Sequence, residues 1–132
     1  MVSKIRTWSL VSAVLWTLLM LYLLLSPKTP GEGLQFFDGQ DKVVHFVLFG
    51  VWCFLLGLVL DGSNEISGRT VTLVLSISLG FAVGTEMVQY YLPGRSGDWI
   101  DGLCDVLGGA VGLLVAYFLK KELIRVGKEF NK

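Results

Sequence analysis

The sequence predicts an all-α fold, an integral membrane bundle of four transmembrane helices. Hydrophobic residues make up 53% of the 132 positions, and mean hydropathy is +0.65. The apolar residues form long blocks instead of alternating with polar ones. Four of these blocks, residues 8–25, 43–60, 71–91 and 99–119, are long enough to cross a bilayer core. A crossing takes about 20 mostly apolar residues at a rise of roughly 1.5 Å each. The length suits a single domain over residues 1–132.

The first block, 8–25, is eighteen residues without a charge. Lys4 and Arg6 precede it as a secretory leader would require. However, the run exceeds an h-region of about 7–15 residues and no A-x-A-like site follows, so a retained helix is expected. The second block, 43–60, has His45 as its only imidazole. The third, 71–91, contains one charge, Glu86, and the fourth contains Asp101 and Asp105. Between the first two, residues 26–42 read as a loop, rich in turn formers at Pro27, Pro30, Gly31, Gly33 and Gly39. Its Phe36–Phe37 pair is expected to dip into the interface. Residues 61–70, DGSNEISGRT, form a short polar connection. Pro93–Gly94 predicts a tight turn between the last two helices, because Pro presets φ and Gly accepts φ > 0.

Lys and Arg accumulate on the cytoplasmic side of membrane proteins. With the N-terminus inside, Lys4, Arg6, Arg69, Lys120, Lys121, Arg125, Lys128 and Lys132 fall inside, and Lys28, Lys42 and Arg95 outside. That bias of eight to three predicts both termini in the cytoplasm, with 120–132 as a basic cytoplasmic tail. The tail is read first as a topology signal and second as a contact for anionic headgroups. Trp8 and Trp99 suit interface anchors, whereas Trp16 and Trp52 suit packing. Cys53 and Cys104 form no CxxC pair and read as small packing residues. Zero net charge excludes a basic nucleic-acid footprint. No nucleophile-elbow, HExxH, P-loop or dinucleotide fingerprint occurs.

This topology brings the polar residues of three helices to one depth. The second helix starts there with Asp41, Lys42 and His45; the third ends there with Glu86 and Gln89; the fourth starts there with Asp98, Asp101 and Asp105. Arg95 lies in the turn between. Asp98, Asp101 and Asp105 follow i, i+3, i+7 spacing, and the stripe continues through Gly108 and Gly112. Small residues at such spacing let helices approach closely, so the stripe is expected to face another helix. An Asp at a helix centre costs about 2.5–3.5 kcal/mol on insertion scales, so these acids must be paired, protonated or hydrated. One reading is a structural network, with Arg95 bridging Asp98 and Glu86 and Lys42 bridging Asp41. The other is a polar pocket. Its carboxylates, Glu86, Asp98, Asp101 and Asp105, together with the His45 imidazole, are candidate ligands for a divalent cation; the same acids could receive a cationic headgroup or antibiotic amine, and Arg95 with Lys42 is a candidate grip for a phosphate.

The ordered elements Asp41-Lys42-x-x-His45-Phe46, Glu86-x-x-Gln89, Pro93-Gly94-Arg95-x-x-Asp98 and Asp101, ending in a Gly-rich helix, resemble the VanZ-like membrane proteins. The likeness runs from about Asp41 to Gly112. It implies a small bacterial integral membrane protein of the cytoplasmic membrane. The family's namesake is associated with resistance to the glycopeptide teicoplanin. The resemblance carries Asp41, Lys42, His45, Glu86, Gln89, Arg95, Asp98 and Asp101 over as pocket residues. Where the family pattern commonly has Asn, this chain has Asp105, an extra acid.

Three functions follow as expectations. The first is an envelope protein whose outer-leaflet pocket binds a cell-wall lipid, phospholipid headgroup or glycopeptide and alters teicoplanin susceptibility. The second is a metal-assisted enzyme acting on a lipid phosphate, with His45 shuttling protons. The third is a structural or assembly role, including a homo-oligomer packed through Gly108 and Gly112.

Overall fold

The computed structural model describes residues 2–26, 36–62, 65–95 and 97–130, with side chains from Arg6 onward. It is all-helical among these residues, with four helices long and apolar enough to cross a membrane. They are α1 (Val2–Leu25), α2 (Gln40–Leu60), α3 (Gly68–Tyr91) and α4 (Trp99–Phe130). Pro27, Lys28, Pro30, Gly31, Gly33 and Lys132, to which the sequence assigned loop or orientation roles, lie outside the described residues, as does the side chain of Lys4.

Each helix exceeds its apolar block, for local reasons. α2 starts just after Gly39, which takes φ 81°. α3 starts three residues early because Ser67 caps it, its hydroxyl accepting from the Thr70 amide at 3.2 Å. Ser67 is in turn fixed by Asp61, whose carboxylate accepts from the Ser67 amide at 2.8 Å. Partial burial pushes the Asp61 carboxyl up, but the Ser67 and Thr70 hydrogen bonds and the Lys120 charge outweigh this and hold it below its ordinary value. α4 runs on to Phe130, so residues 120–130 continue the helix instead of forming a separate tail. At 32 residues it is about 48 Å long, well beyond a hydrocarbon core of roughly 30 Å. Its last turns carry an exposed pair, Arg125 donating to Glu122 at 2.7 Å.

The helices pack up-down-up-down, and α2 against α4 is the most extensive contact. That seam is built on glycine. A Cβ on Gly108 would strike the Phe46 carbonyl oxygen, and one on Gly112 the Gly50 carbonyl oxygen. On the other side of the seam, a Cβ on Gly57 would meet the Leu113 and Ala116 side chains at 2.9 and 3.0 Å. Without a hydrophobic force between helices in lipid, such close backbone approach is a main source of cohesion. The sequence offered Gly108 and Gly112 to a second copy; the structure uses both within the chain, where they are buried.

Around the seam lies a core of Met20, Leu24, Phe49, Trp52, Cys53 and Val74. The two inner tryptophans satisfy their N–H groups across α1 and α2. Trp16 donates to the Leu48 carbonyl and Trp52 to the Thr17 hydroxyl, both at 2.9 Å. Trp8 and Trp99 are more than 70% exposed, at opposite ends of the bundle, as interface anchors require. Phe36 and Phe37 are also exposed. Leu10, Val14, Leu18, Leu107, Val111, Leu114 and Phe118 project outward. An apolar exterior of this extent suits a bilayer.

Candidate functional site

The antiparallel order places the end of α1, the start of α2, the end of α3 and the start of α4 at one end of the bundle. Pro93–Gly94 makes the tight α3–α4 turn, with Gly94 at φ 79° and the Arg95 amide donating to the Leu92 carbonyl at 3.2 Å. Gly97 follows, so close to α3 that a Cβ there would lie 3.0 Å from the Glu86 carbonyl oxygen. The turn is thereby folded back on α3, with Asp98 beside Glu86.

The polar residues sort into three groups. The outermost is a clip. Lys42 donates to Asp98 at 2.9 Å, to Asp101 at 3.1 Å and to Asp41 at 3.4 Å. It ties the start of α2 to that of α4. The Asp98 carboxylate also accepts from the Ile100 amide at 2.9 Å. These two donors, the amide first, hold its carboxyl below its ordinary value.

One turn deeper, on the same two helices, lies a buried group. His45 Nδ1 is 2.9 Å from Asp105 Oδ1 and 3.9 Å from Glu86 Oε1. The Asp105 side chain is fully buried and that of His45 6% exposed. Glu86 enters from α3, its Oε2 accepting from the Asp98 amide at 2.8 Å. Asp105 Oδ2 and Glu86 Oε1 have no hydrogen-bond partner among the described residues.

The third group closes α1. Gln89 donates to the Leu24 carbonyl at 2.9 Å, and Arg95 donates to the Leu23 and Leu24 carbonyls at 2.7 and 3.2 Å. The last carbonyls of a helix lack intrahelical donors, and a guanidinium both satisfies them and complements the helix dipole. The expected bridge from Arg95 to Asp98 and Glu86 is therefore not the contact the structure displays. Lys42 bridges Asp98 and Asp101 as well as Asp41. Lys42 and Arg95 also serve different groups, so the phosphate grip they were to form together is not assembled.

Beside the deep group a cleft of about 280 Å³ opens on the bundle surface, lined by Glu86, Met87, Tyr90, Tyr91, Gly97, Asp98 and Trp99. Its rim is aromatic, Tyr90 and Tyr91 meeting edge to face at a 5.3 Å centroid separation. The rim was missed as part of a site; its signal was two tyrosines and a tryptophan flanking the Pro-Gly turn. Lys120 was also missed. It was counted as a surface charge, yet it is buried and donates to the Gly57 carbonyl at 3.3 Å, at the other end of the bundle. Nothing in its sequence context indicates that burial.

Among the nine polar residues, five carboxylates face two full cations, before His45 is counted. The arrangement therefore favours a cationic over an anionic occupant. No curated protein and no solved structure matches the chain. The VanZ/LLP1 family model matches residues 5–120, reaching all four membrane helices and covering the nine polar residues of the site. This four-helix, multi-pass membrane protein belongs to the VanZ/LLP1 family.

Proposed function

We propose that the protein works in the bacterial cytoplasmic membrane, with its polar end on the outer face, and binds the amine of a lipid headgroup or glycopeptide there. The observation that carries this reading is the cleft: aromatic rings at the rim and two carboxylate residues, Glu86 and Asp98, in its wall. An ammonium group seated over aromatic faces and next to carboxylates gains cation–π and Coulomb attraction together. The surplus of acids over bases supports the same sign of ligand. Family membership supports the associated phenotype, altered susceptibility to teicoplanin-type drugs.

The lipid-phosphate enzyme is less well supported, because Lys42 is engaged by three acids and Arg95 by α1 carbonyls. Assembly through Gly108 and Gly112 loses its basis once both are buried within the chain.

The test is reconstitution in nanodiscs with phosphatidylethanolamine or phosphatidylglycerol, measuring retained lipid by mass spectrometry. Native protein is expected to enrich the amine-bearing lipid, and Glu86→Gln with Trp99→Ala to abolish the enrichment. A deletion strain should change teicoplanin susceptibility, and the double variant should fail to restore it. Equal retention of both lipids, with unchanged susceptibility, overturns the reading.

A further inference from the structure

We infer that His45, Glu86 and Asp105 form a binding site for one divalent first-row cation of the zinc or manganese type, inside the bundle and behind the amine cleft. The site is distinct from the outer clip and includes neither Asp98 nor Asp101. Those two acids already share the Lys42 ammonium.

The geometry is that of a ligand set. The three residues come from α2, α3 and α4, and each offers one donor atom within 4.8 Å of the others. Metal–donor bonds of about 2.0–2.2 Å at tetrahedral angles place donors roughly 3.4 Å apart. The distances from His45 Nδ1, 2.9 Å to Asp105 and 3.9 Å to Glu86, bracket that value. Bringing every pair, all within 4.8 Å, to that spacing takes side-chain shifts of up to about 1.4 Å.

A second observation points the same way. Glu86 Oε1 and Asp105 Oδ2 are buried without a hydrogen-bond partner among the described residues, and the Asp105 side chain is wholly inaccessible. A buried carboxylate oxygen left unpaired is costly, and most such atoms in folded proteins have a partner. Two carboxylates with a neutral imidazole carry two negative charges, which one divalent cation balances. Imidazole with carboxylates suits zinc or manganese better than calcium or magnesium, which prefer all-oxygen shells. Three protein donors leave one position of a tetrahedral ion for water or a ligand oxygen.

This inference does not depend on which amine enters the cleft. Glu86 is common to both, but His45 and Asp105 do not line the cleft, so loss of lipid selectivity alone leaves the cation site standing. The test uses purified full-length protein in detergent, freed of metal by chelation and titrated calorimetrically with chloride salts of Zn²⁺, Mn²⁺, Mg²⁺ and Ca²⁺. One Zn²⁺ or Mn²⁺ per chain is expected, with weaker Mg²⁺ and Ca²⁺ binding, and a metal-dependent rise in Tm. Asp105→Asn, Glu86→Gln and His45→Gln should each weaken binding at least about tenfold. Glu122→Gln, a distant exposed acid, should not. Co²⁺ added to the native protein should give the visible absorption of a tetrahedral nitrogen–oxygen site, a readout that needs no variant to fold. Absence of stoichiometric binding for all four ions, or binding indifferent to the three substitutions, overturns the proposal.

Discussion

Two acidic layers lie one helical turn apart on α2 and α4, and they solve the same problem differently. The outer layer, Asp41, Asp98 and Asp101, has its own cation in Lys42. Among the described residues, the inner layer, Glu86 and Asp105, has an imidazole in place of a full cation, and two of its oxygens are without a hydrogen-bond partner. Asp41 and Asp98 of the outer layer are partly exposed, whereas Asp105 of the inner layer is fully buried and Glu86 borders the cleft. The contrast separates two uses of intramembrane charge. A group whose acids share one ammonium clips helices together, whereas one whose buried oxygens lack a donor among the described residues is the cation site inferred above.

The largest disturbance should come from Gly112→Val, because both layers rest on the α2–α4 seam. The new side chain collides with the Gly50 carbonyl, and overpacking of this kind should cost about 3 kcal/mol or more. Denaturant unfolding in mixed micelles measures it. Survival of near-native stability would show that the seam does not hold the layers in register.

His45→Leu should come next, at about 2 kcal/mol in metal-free protein, because it leaves the buried Asp105 carboxylate without its hydrogen-bonded imidazole. Asp105→Asn keeps the shape and removes a charge, so its cost should stay within about 1 kcal/mol. If Asp105→Asn proved the more damaging, the inner layer would be a structural clip like the outer one.

Lys42→Met strips the outer layer of its cation. The group is partly solvated, so Tm should fall by only a few degrees. A fall matching that of His45→Leu would erase the distinction between the layers.

Acid should affect the outer layer late. The Ile100 amide and Lys42 hold the Asp98 carboxyl below the ordinary range. A depressed value stabilises the fold above the unfolded-state pKa, and that contribution is lost as pH falls through the folded value. Tm should therefore be insensitive to Asp98 between pH 5 and 8 and should drop only below about pH 4. Asp98→Asn should remove that acid-limb drop, as thermal melts across pH can show. The smallest change should be Arg125→Ala, within about 0.5 kcal/mol by the same unfolding measurement, because its pair with Glu122 is exposed and remote from both layers.

Much of the fold was legible in the sequence, since uninterrupted apolar runs of membrane-spanning length have few other uses. Helix ends were less legible. They depended on contacts such as Ser67 with Asp61, and on α4 continuing beyond its apolar stretch through KKELIRVGKEF. For the site, helical spacing placed Asp101 and Asp105 on a packing face, and both are buried there. It could not divide the acids between layers. Asp98 and Asp101 were grouped as candidate metal ligands with Glu86 and Asp105, yet Lys42 reaches the first pair and His45 the second. Those partners lie 56 to 60 residues away in sequence, where local patterning gives no information.

The sequence by itself determined the number of membrane helices and the end at which the polar residues gather. Hydrophobic run length and alternating chain direction are properties of the chain alone. Only the tertiary structure decided which charge meets which. It turned Arg95 and Gln89 onto α1, closed Lys42 over three acids, and left His45, Glu86 and Asp105 facing one another. The physical reason is the glycine seam, whose backbone contacts set how far α4 lies along α2. At a rise of roughly 1.5 Å per residue, a slip of one helical turn would put Asp101 opposite His45 or, in the other direction, Asp105 opposite Lys42.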